Sequence, residues 1–375
     1  MRIFGALLLP FISVAADAGD SYLVYFGTYT ASVSKGIYAA RYDPASGKVE
    51  MLGVVAEAAN PSFLAIRPDQ RSLYAVNWKA SGAEPGNMVS AFSIDARTAK
   101  LSFLNRVPSK GEQPTHLAVD STGKTLMVAN YGSGTAAAFP IAEDGRLGEA
   151  IWADQHTGPP VEVQGGAPHA HDVLFSRDNR LVFIAELGLD RVYSYHFDAA
   201  KRAISPFDPP FVATSPGSGP RHLALHPNGK FLYANNETSS TVAVFEREGG
   251  VLKEIQTIST LPPDFKGKNT TAEIQIDRAG KFLYVSNRGH DSIAVFAVES
   301  DSGRLSPVEY VSTQGKTPRN FSLDPTGASL FAANENSSTV VLFRVDRGTG
   351  RLKPSGTVLD VPSPSCVIFL KIPAK

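Results

Sequence analysis

The chain has 375 residues, of which 43% are hydrophobic, and its 36 basic residues balance 36 acidic ones. This balance argues against a nucleic-acid-binding protein and gives no reason to expect binding to an anionic membrane. The single cysteine, Cys366, excludes an intrachain disulfide, so packing alone must hold the fold. Cys366 lies in an apolar segment, and we expect it to be an inert core residue.

The N-terminus has the pattern of a secretory signal peptide. Arg2 precedes an apolar run that is too short to span a bilayer, and Ala16-Asp-Ala18 has the small-x-small form of a signal-peptidase site. We predict a signal peptide over residues 1–18, a single folded domain over residues 19–375, and a secreted or periplasmic location. The alternative is a short leader without structure.

Beyond the leader, one seventeen-residue pattern recurs six times, with a period of roughly 46 to 56 residues that is typical of propellers. Each copy joins two apolar runs through a Pro/Asn/Gly turn signal, which predicts a β-hairpin. A third apolar run follows in nearly every unit. The copies are Pro61–Asn77, Pro114–Asn130, Ala170–Glu186, Pro220–Asn236, Thr271–Asn287 and Pro318–Asn334. Gly-x-Leu segments predict the start of a fourth, outer strand at Gly145, Gly250, Gly303 and Gly350.

The two ends of the chain share a seventh copy. Tyr22–Tyr29 resembles a second strand, and a third and a fourth follow at Gly36–Arg41 and Val49–Leu52. Ser365–Leu370 resembles a first strand with nothing after it. Joining the two ends leaves no exposed sheet edge. The sequence therefore predicts an all-β, seven-bladed propeller of four-stranded blades, closed by its N- and C-terminal strands and complete as a monomer.

Two positions of the repeat differ between blades in a way that packing does not require. Position one begins the first strand and position seventeen ends the second, so these positions and their neighbours, two and eighteen, emerge at one mouth of the ring. The first two units carry neutral residues there, Ser62 with Trp78 and Thr115 with Tyr131. The next four carry His171 with Leu187, Arg221 with Glu237, Ala272 with Arg288, and Arg319 with Glu335. This asymmetry indicates a functional site, with in-blade ion pairs as the structural alternative for the two Arg and Glu pairs.

Two more histidines, His169 and His290, belong to the same mouth. His169 and His171 share one face of an extended strand, as in some metal sites, but no third ligand follows in fixed spacing, so we predict no metal. No Gly-x-Ser-x-Gly elbow and no complete dinucleotide or phosphate loop occurs in the sequence. Serine hydrolases and nucleotide-dependent enzymes are therefore excluded.

Five motifs together resemble the seven-bladed lactonase family, which includes propeller-type 6-phosphogluconolactonases and fungal carboxy-muconate cyclases. They are Pro168-His-Ala-His-Asp172, Gly219-Pro-Arg-His-Leu223, Asn235-Asn-Glu-Thr238, Ala272-Glu-Ile274 with Ser286-Asn-Arg-Gly-His290, and Thr317-Pro-Arg-Asn320. The resemblance implies a catalytic set of one histidine, two arginines and one glutamate. Matched motif by motif, these are His171, Arg221, Glu237 and Arg288. We assign the surrounding residues of the mouth to substrate binding, namely His169, Tyr131, His290, Arg319 and Glu335.

This set of side chains suits the opening of a sugar lactone by water, and it needs neither a metal nor an organic cofactor. Arginine can stabilise the developing oxyanion or hold a carboxylate or phosphate, and His171 or Glu237 can act as the base. Either Glu237 activates water and His171 protonates the leaving alkoxide, or the roles are reversed.

Substrate and reaction class stay open at this stage. A phosphorylated lactone would suit the cytoplasmic pathway expected of family members, whereas the signal peptide favours an unphosphorylated one. A muconate-type lactonizing cycloisomerase is one alternative function. A non-catalytic propeller that binds a ligand or a partner protein is the other.

Overall fold

The computed structural model describes residues 21–30, 33–78, 85–159 and 166–372, and the signal peptide predicted over residues 1–18 lies outside them. Seven antiparallel sheets of four strands form the described part of the chain. The innermost strand of each sheet contacts the innermost strand of the next, and the last returns to the first. The predicted all-β, seven-bladed propeller is confirmed. No helix within these ranges is long and apolar enough to cross a membrane.

The strands of each blade run from the axis outward, and we number the blades along the chain. Blade 1 contains β28 (Pro364–Lys371), β1 (Tyr22–Thr28), β2 (Gly36–Asp43) and β3 (Lys48–Glu57); blade 2 contains β4 (Leu64–Ile66), β5 (Ser72–Asn77), β6 (Met88–Ile94) and β7 (Leu101–Pro108); blade 3 contains β8 (Pro114–Val119), β9 (Thr125–Asn130), β10 (Thr135–Pro140) and β11 (Trp152–Gln155). Blade 4 contains β12 (Ala170–Phe175), β13 (Leu181–Glu186), β14 (Arg191–Asp198) and β15 (Ala203–Ala213); blade 5 contains β16 (Pro220–Leu225), β17 (Phe231–Asn236), β18 (Thr241–Glu248) and β19 (Val251–Ser259). Blade 6 contains β20 (Thr270–Ile276), β21 (Phe282–Arg288), β22 (Ser292–Val298) and β23 (Leu305–Ser312); blade 7 contains β24 (Pro318–Leu323), β25 (Ser329–Asn334), β26 (Thr339–Val345) and β27 (Leu352–Asp360).

Blade 1 is built from both ends of the chain, as predicted. β28 pairs antiparallel with β1, with Lys371 opposite Tyr22 and Pro364 opposite Thr28. Pairing the ends gives the first and last segments of the chain the same backbone hydrogen bonds as every other blade. The ring therefore closes without an unpaired inner edge.

The core consists of apolar clusters between neighbouring blades. Each cluster draws side chains from two adjacent sheets, so a middle strand such as β13 is buried at every position. Burial on both faces explains why the second strand of each repeat is a continuous apolar run and does not alternate. Cys366 belongs to the cluster between blades 1 and 2, and burial raises the pKa of its thiol, as expected of an inert core residue.

The predicted outer strands are confirmed after Gly250, Gly303 and Gly350, but the prediction at Gly145 is wrong. There the outer strand β11 begins only at Trp152, and Leu147 forms a single bridge with Ile141. The side chain of Asn105 in blade 2 contacts this segment. It bonds both the N–H and the carbonyl of Leu147, at 3.0 and 2.8 Å, as Gln256 does with Leu305 in blade 6, so this contact does not explain why blade 3 differs.

Position two of the repeat is the extra residue of a β-bulge. In blade 5, Pro220 lies opposite Asn236 and His222 opposite Asn235, which leaves Arg221 without a partner in this ladder. The inner strands of blades 1, 3, 4 and 7 have the same irregularity at the corresponding residue. Since a bulge redirects a side chain, the fold presents position two at the mouth.

Candidate active site

A cavity of about 200 Å³ lies at this mouth of the propeller. Every blade contributes to its wall, which places it on the axis of the ring. The lining comes from position eighteen (Tyr29, Trp78, Tyr131, Glu237, Arg288), position two (Thr115, His171, Arg319) and Gln113. A larger groove of about 780 Å³ between Ser121 and Ser205 is formed by turns and outer strands of blades 3 and 4. The axial cavity is the one that gathers the predicted site residues.

Glu237 joins two arginines from different blades. Its Oε2 accepts a hydrogen bond of 2.8 Å from Arg221 Nε and lies 3.0 Å from Arg288 Nη2. Burial by itself would raise the pKa of the Glu237 carboxyl, but Arg288 and Arg221 outweigh it and lower the pKa. Glu237 is therefore an anion. The in-blade ion pair between Arg221 and Glu237 is therefore present. Glu237 also contacts Arg288 of the neighbouring blade, so the pair is more than a link between two strand ends.

Arg221 lies beneath the cavity and is almost completely buried. Its Nη1 donates to the carbonyl of Ala272 at 2.5 Å and lies 3.1 Å from Nε2 of His222. Burial and the neighbouring Arg288 lower the pKa of the guanidinium to about 10, so Arg221 is still a cation at neutral pH. Arg221 thus contacts Glu237 without being one of the described lining residues.

Arg288 faces the cavity directly. Its Nη2 donates to the carbonyl of Thr271 at 2.8 Å as well as contacting Glu237. Among the described residues, its buried Nε has no hydrogen-bond partner. Burial lowers the pKa of the guanidinium, although Glu237 opposes that effect. Arg288 thus has a buried donor that no described residue satisfies.

His171 is a buried, neutral imidazole. Burial, followed by the charges of Arg221 and His222, lowers its pKa well below 6.5. Within the part of the chain that the structure describes, its Nδ1 has no hydrogen-bond partner. The ring meets Tyr131 edge-on, with the centroids 5.6 Å apart. A neutral imidazole with a free nitrogen can accept a proton.

Of the residues assigned to substrate binding, Tyr131 and Arg319 line the cavity. Arg319 lies over the ring of Tyr29 at 5.1 Å, and its Nη1 is 3.7 Å from Glu335 Oε2. Glu335 therefore contacts the cavity only through Arg319. The loose ion pair leaves Arg319 able to turn towards a ligand.

The two remaining histidines lie behind or beside the cavity wall. His169 stacks flat on Tyr131 at 4.3 Å, and its Nδ1 is 2.8 Å from the Tyr131 carbonyl. His290 packs against Phe265, with Nδ1 2.7 Å from Ser292 Oγ, and is not among the described lining residues. No three His, Cys, Asp or Glu side chains in the described ranges are placed to hold a metal ion.

Sequence reasoning overlooked two features of the site. The first is Tyr29, which forms an aromatic wall with Trp78, the ring centroids being 6.3 Å apart. Tyr29 is position eighteen of the copy that is split between the chain ends, so applying the repeat to that copy would have found it. The second is position three, which is polar in five blades: His116, Asp172, His222, Glu273 and Asn320.

Comparison with known proteins adds a family and several relatives. The family model described as Lactonase, 7-bladed beta-propeller, matches residues 23–369. The chain is 37% identical over 302 residues to a 6-phosphogluconolactonase of Bacillus subtilis, covering 80% of this chain and 84% of the relative. It is 32% identical over 305 residues to a 6-phosphogluconolactonase of Formosa agariphila, covering 80% and 85%. The solved periplasmic gluconolactonase of Pseudomonas aeruginosa matches with a TM-score of 0.88 and 35% identity, covering 94% of this chain and 100% of that structure.

Proposed function

The chain belongs to the seven-bladed β-propeller lactonase family, and we propose that it hydrolyses a sugar lactone in the axial cavity. One observation carries the proposal. His171, a neutral proton acceptor, and Arg288, a cationic donor, line the same small cavity, and within the described residues each has a buried nitrogen without a partner. Hydrolysis of an ester needs such a pair, because water must lose a proton while the carbonyl oxygen gains negative charge.

His171 acts as the base in this proposal. Both guanidinium groups that contact Glu237 bind the same carboxylate oxygen, whereas His171 Nδ1 has no hydrogen-bond partner among the described residues. Water attacks the carbonyl carbon and gives its proton to His171, and Arg288 stabilises the oxyanion. The ring C–O bond then breaks, and the imidazolium returns the proton to the leaving alkoxide, giving the open-chain hydroxy acid. Glu237 orients Arg221 and Arg288 throughout.

The substrate class we propose is an unphosphorylated sugar lactone. A cavity of about 200 Å³ holds roughly seven water molecules at about 30 Å³ each, which suits one sugar ring. Arg221 and Arg288 already share Glu237, and Arg319 faces Glu335, so a phosphate dianion would compete with bound carboxylates. The signal peptide predicted over residues 1–18 favours a secreted or periplasmic location, where the gluconolactonase of Pseudomonas aeruginosa also acts according to its name.

A direct assay tests this proposal. The mature chain is purified, and acid release is followed from glucono-1,5-lactone and from 6-phosphogluconolactone, with the spontaneous rates subtracted. We expect turnover of both classes to need His171 and the unphosphorylated lactone to have the higher kcat/KM. Reaction in ¹⁸O-labelled water should place one label in the product carboxylate. A product without label would indicate a cycloisomerase, and no turnover of any lactone would indicate a binding protein.

A further inference from the structure

Position three of the repeat forms a buried polar layer on the axis, below the cavity. Blades 2 and 1 contribute the apolar residues Phe63 and Cys366 to this layer. The other five contribute polar side chains, and of these Asp172, His222, Glu273 and Asn320 are each 6% exposed or less. Burying polar groups is unfavourable unless each finds a partner. Here the hydrogen-bond partners form a series of contacts that connects this layer with the residues of the cavity.

His222 links this layer to Arg221. Its Nε2 lies 3.1 Å from Arg221 Nη1, and its Nδ1 lies 3.3 Å from Glu273 Oε2. A guanidinium group only donates hydrogen bonds, so Nε2 must be the acceptor and the imidazole proton must sit on Nδ1, facing Glu273. Burial lowers the pKa of His222 well below 6.5, which favours the same neutral form.

Glu273 is in turn held from two further directions. Its Oε1 accepts a bond of 3.0 Å from the N–H of Ile274, and its Oε2 accepts a bond from the side-chain amide of Asn320. The Asn320 amide has a defined orientation because its Oδ1 accepts the N–H of Val367 at 2.9 Å. Burial raises the pKa of Glu273 to about 8, and Oε2 can accept in either protonation state.

These contacts form one continuous chain through four blades, in which Asn320 and His222 both donate to Glu273 Oε2. It runs from the backbone of Val367 through Asn320, Glu273 and His222 to Arg221, whose Nε then binds Glu237. Two acceptors, the Ala272 carbonyl and His222 Nε2, hold Nη1 in place. Fixing Nη1 in this way aims Nε at the carboxylate of Glu237.

We propose that His222 and Glu273 are positioning residues, which orient Arg221 and through it the Glu237 carboxylate for catalysis. The kinetic consequence rests on the lactone hydrolysis proposed above. Without the acceptor at His222, Arg221 would turn towards other carbonyls, and Glu237 would lose one of its two cations. Substrate would still enter the cavity, because neither positioning residue lines it.

Two variants of His222 test this directly. In His222→Gln, the amide oxygen can accept from Arg221 and the amide nitrogen can donate to Glu273, as the neutral imidazole does. His222→Leu fills similar space and does neither. We expect H222L to lower kcat about 10- to 100-fold, the effect of losing a hydrogen bond to a charged group, with KM within about threefold. H222Q should recover most of that kcat.

Two variants of Glu273 and one control variant distinguish the proposed effect on kcat from a general loss of stability. Glu273→Gln should keep near-wild-type kcat because its carbonyl replaces Oε2, whereas Glu273→Leu should behave like H222L. Asp120→Asn changes a buried carboxylate of blade 3 that bonds Thr122, Thr125 and Asn179 and lies outside the cavity lining. We expect D120N to lower the melting temperature without a comparable loss of kcat.

Crystal structures of H222L and H222Q separate this proposal from the proposed function, since they need no turnover. We expect Arg221 Nε to leave Glu237 in H222L and to stay in H222Q. Equal kcat in H222L and H222Q would overturn the proposal, as would an unmoved Arg221 in H222L. A wild-type protein without lactonase activity would overturn the proposed function instead, and the structures would still decide the positioning role.

Discussion

The mouth of the propeller has two unlike halves that are built from the same repeat. Blades 1 to 3 present Tyr29, Trp78 and Tyr131 at position eighteen, whereas blades 5 and 6 present Glu237 and Arg288. The backbone is closely similar on both sides, with a bulged position two in blades 1, 3 and 5 and a second strand that ends at or next to position seventeen. Seven equal positions therefore carry two different chemistries, a neutral aromatic wall and a charged wall.

This contrast shows how a symmetric scaffold becomes an asymmetric site. In the proposed reaction, the aromatic wall would offer flat surface to the C–H face of the sugar ring, a contact that holds substrate and transition state alike. The charged wall, with His171, offers groups that respond to the charge developing during the reaction. Changes on the charged side should therefore alter kcat, and changes on the aromatic side should alter KM.

The largest expected effect comes from removing the base. His171→Gln keeps a polar side chain of similar size but cannot take the proton from water. We expect kcat for glucono-1,5-lactone to fall about 10²- to 10⁴-fold. His196→Gln changes an exposed histidine on β14, the third strand of blade 4; it is the control and should keep the wild-type rate. An H171Q enzyme with wild-type kcat would remove His171 from the mechanism.

The next effect comes from the oxyanion donor. Arg288→Lys keeps the positive charge but loses the planar set of donors and the unpartnered Nε. We expect kcat to fall about 10²- to 10³-fold, as for loss of an oxyanion-hole donor, with a smaller change in KM. Arg247→Lys, on the outer part of blade 5, is the matched control. A rise in KM without a fall in kcat would indicate that Arg288 binds the substrate and does not stabilise the oxyanion.

The pH dependence of the rate should follow the charged half. Because the pKa of His171 lies well below 6.5, its neutral, active form persists as the pH falls through 6.5. We expect kcat/KM to stay level there and to fall about tenfold per pH unit only at more acidic pH. A pH series of kcat/KM checks this, and a midpoint at 6.5 or above would contradict it. Trp78→Phe should leave the profile unchanged.

The smallest effect is expected on the aromatic half. Trp78→Ala removes part of the wall beside Tyr29 and should raise KM about three- to tenfold, with kcat within about twofold. Phe103→Ala removes an exposed ring from the outer part of blade 2 and should change neither constant. If W78A lowered kcat as much as R288K does, the assignment of substrate binding to the aromatic half and of catalysis to the charged half would be wrong.

The repeat predicted much of the site because position in the repeat translates directly into position in the ring. Reading positions two and eighteen predicted that His171, Glu237 and Arg288 share one mouth, and the structure places all three in one cavity. Arg221 also occupies position two of its repeat, but it lies deeper and is not one of the described lining residues of the cavity. His290 lies two residues beyond position eighteen, and the turn carries it to Phe265 and away from the lining.

The sequence alone determined the seven blades, their closure through the chain ends and the mouth at which polar residues gather. It could do so because hydrogen-bonded strands repeat with a period that every blade shares. Only the tertiary structure decided which of these residues touch. Contacts between neighbouring blades, such as His222 with Glu273 or Glu237 with Arg288, join residues that lie about fifty positions apart in the chain. The geometry of ring closure sets those distances, and no local pattern contains them.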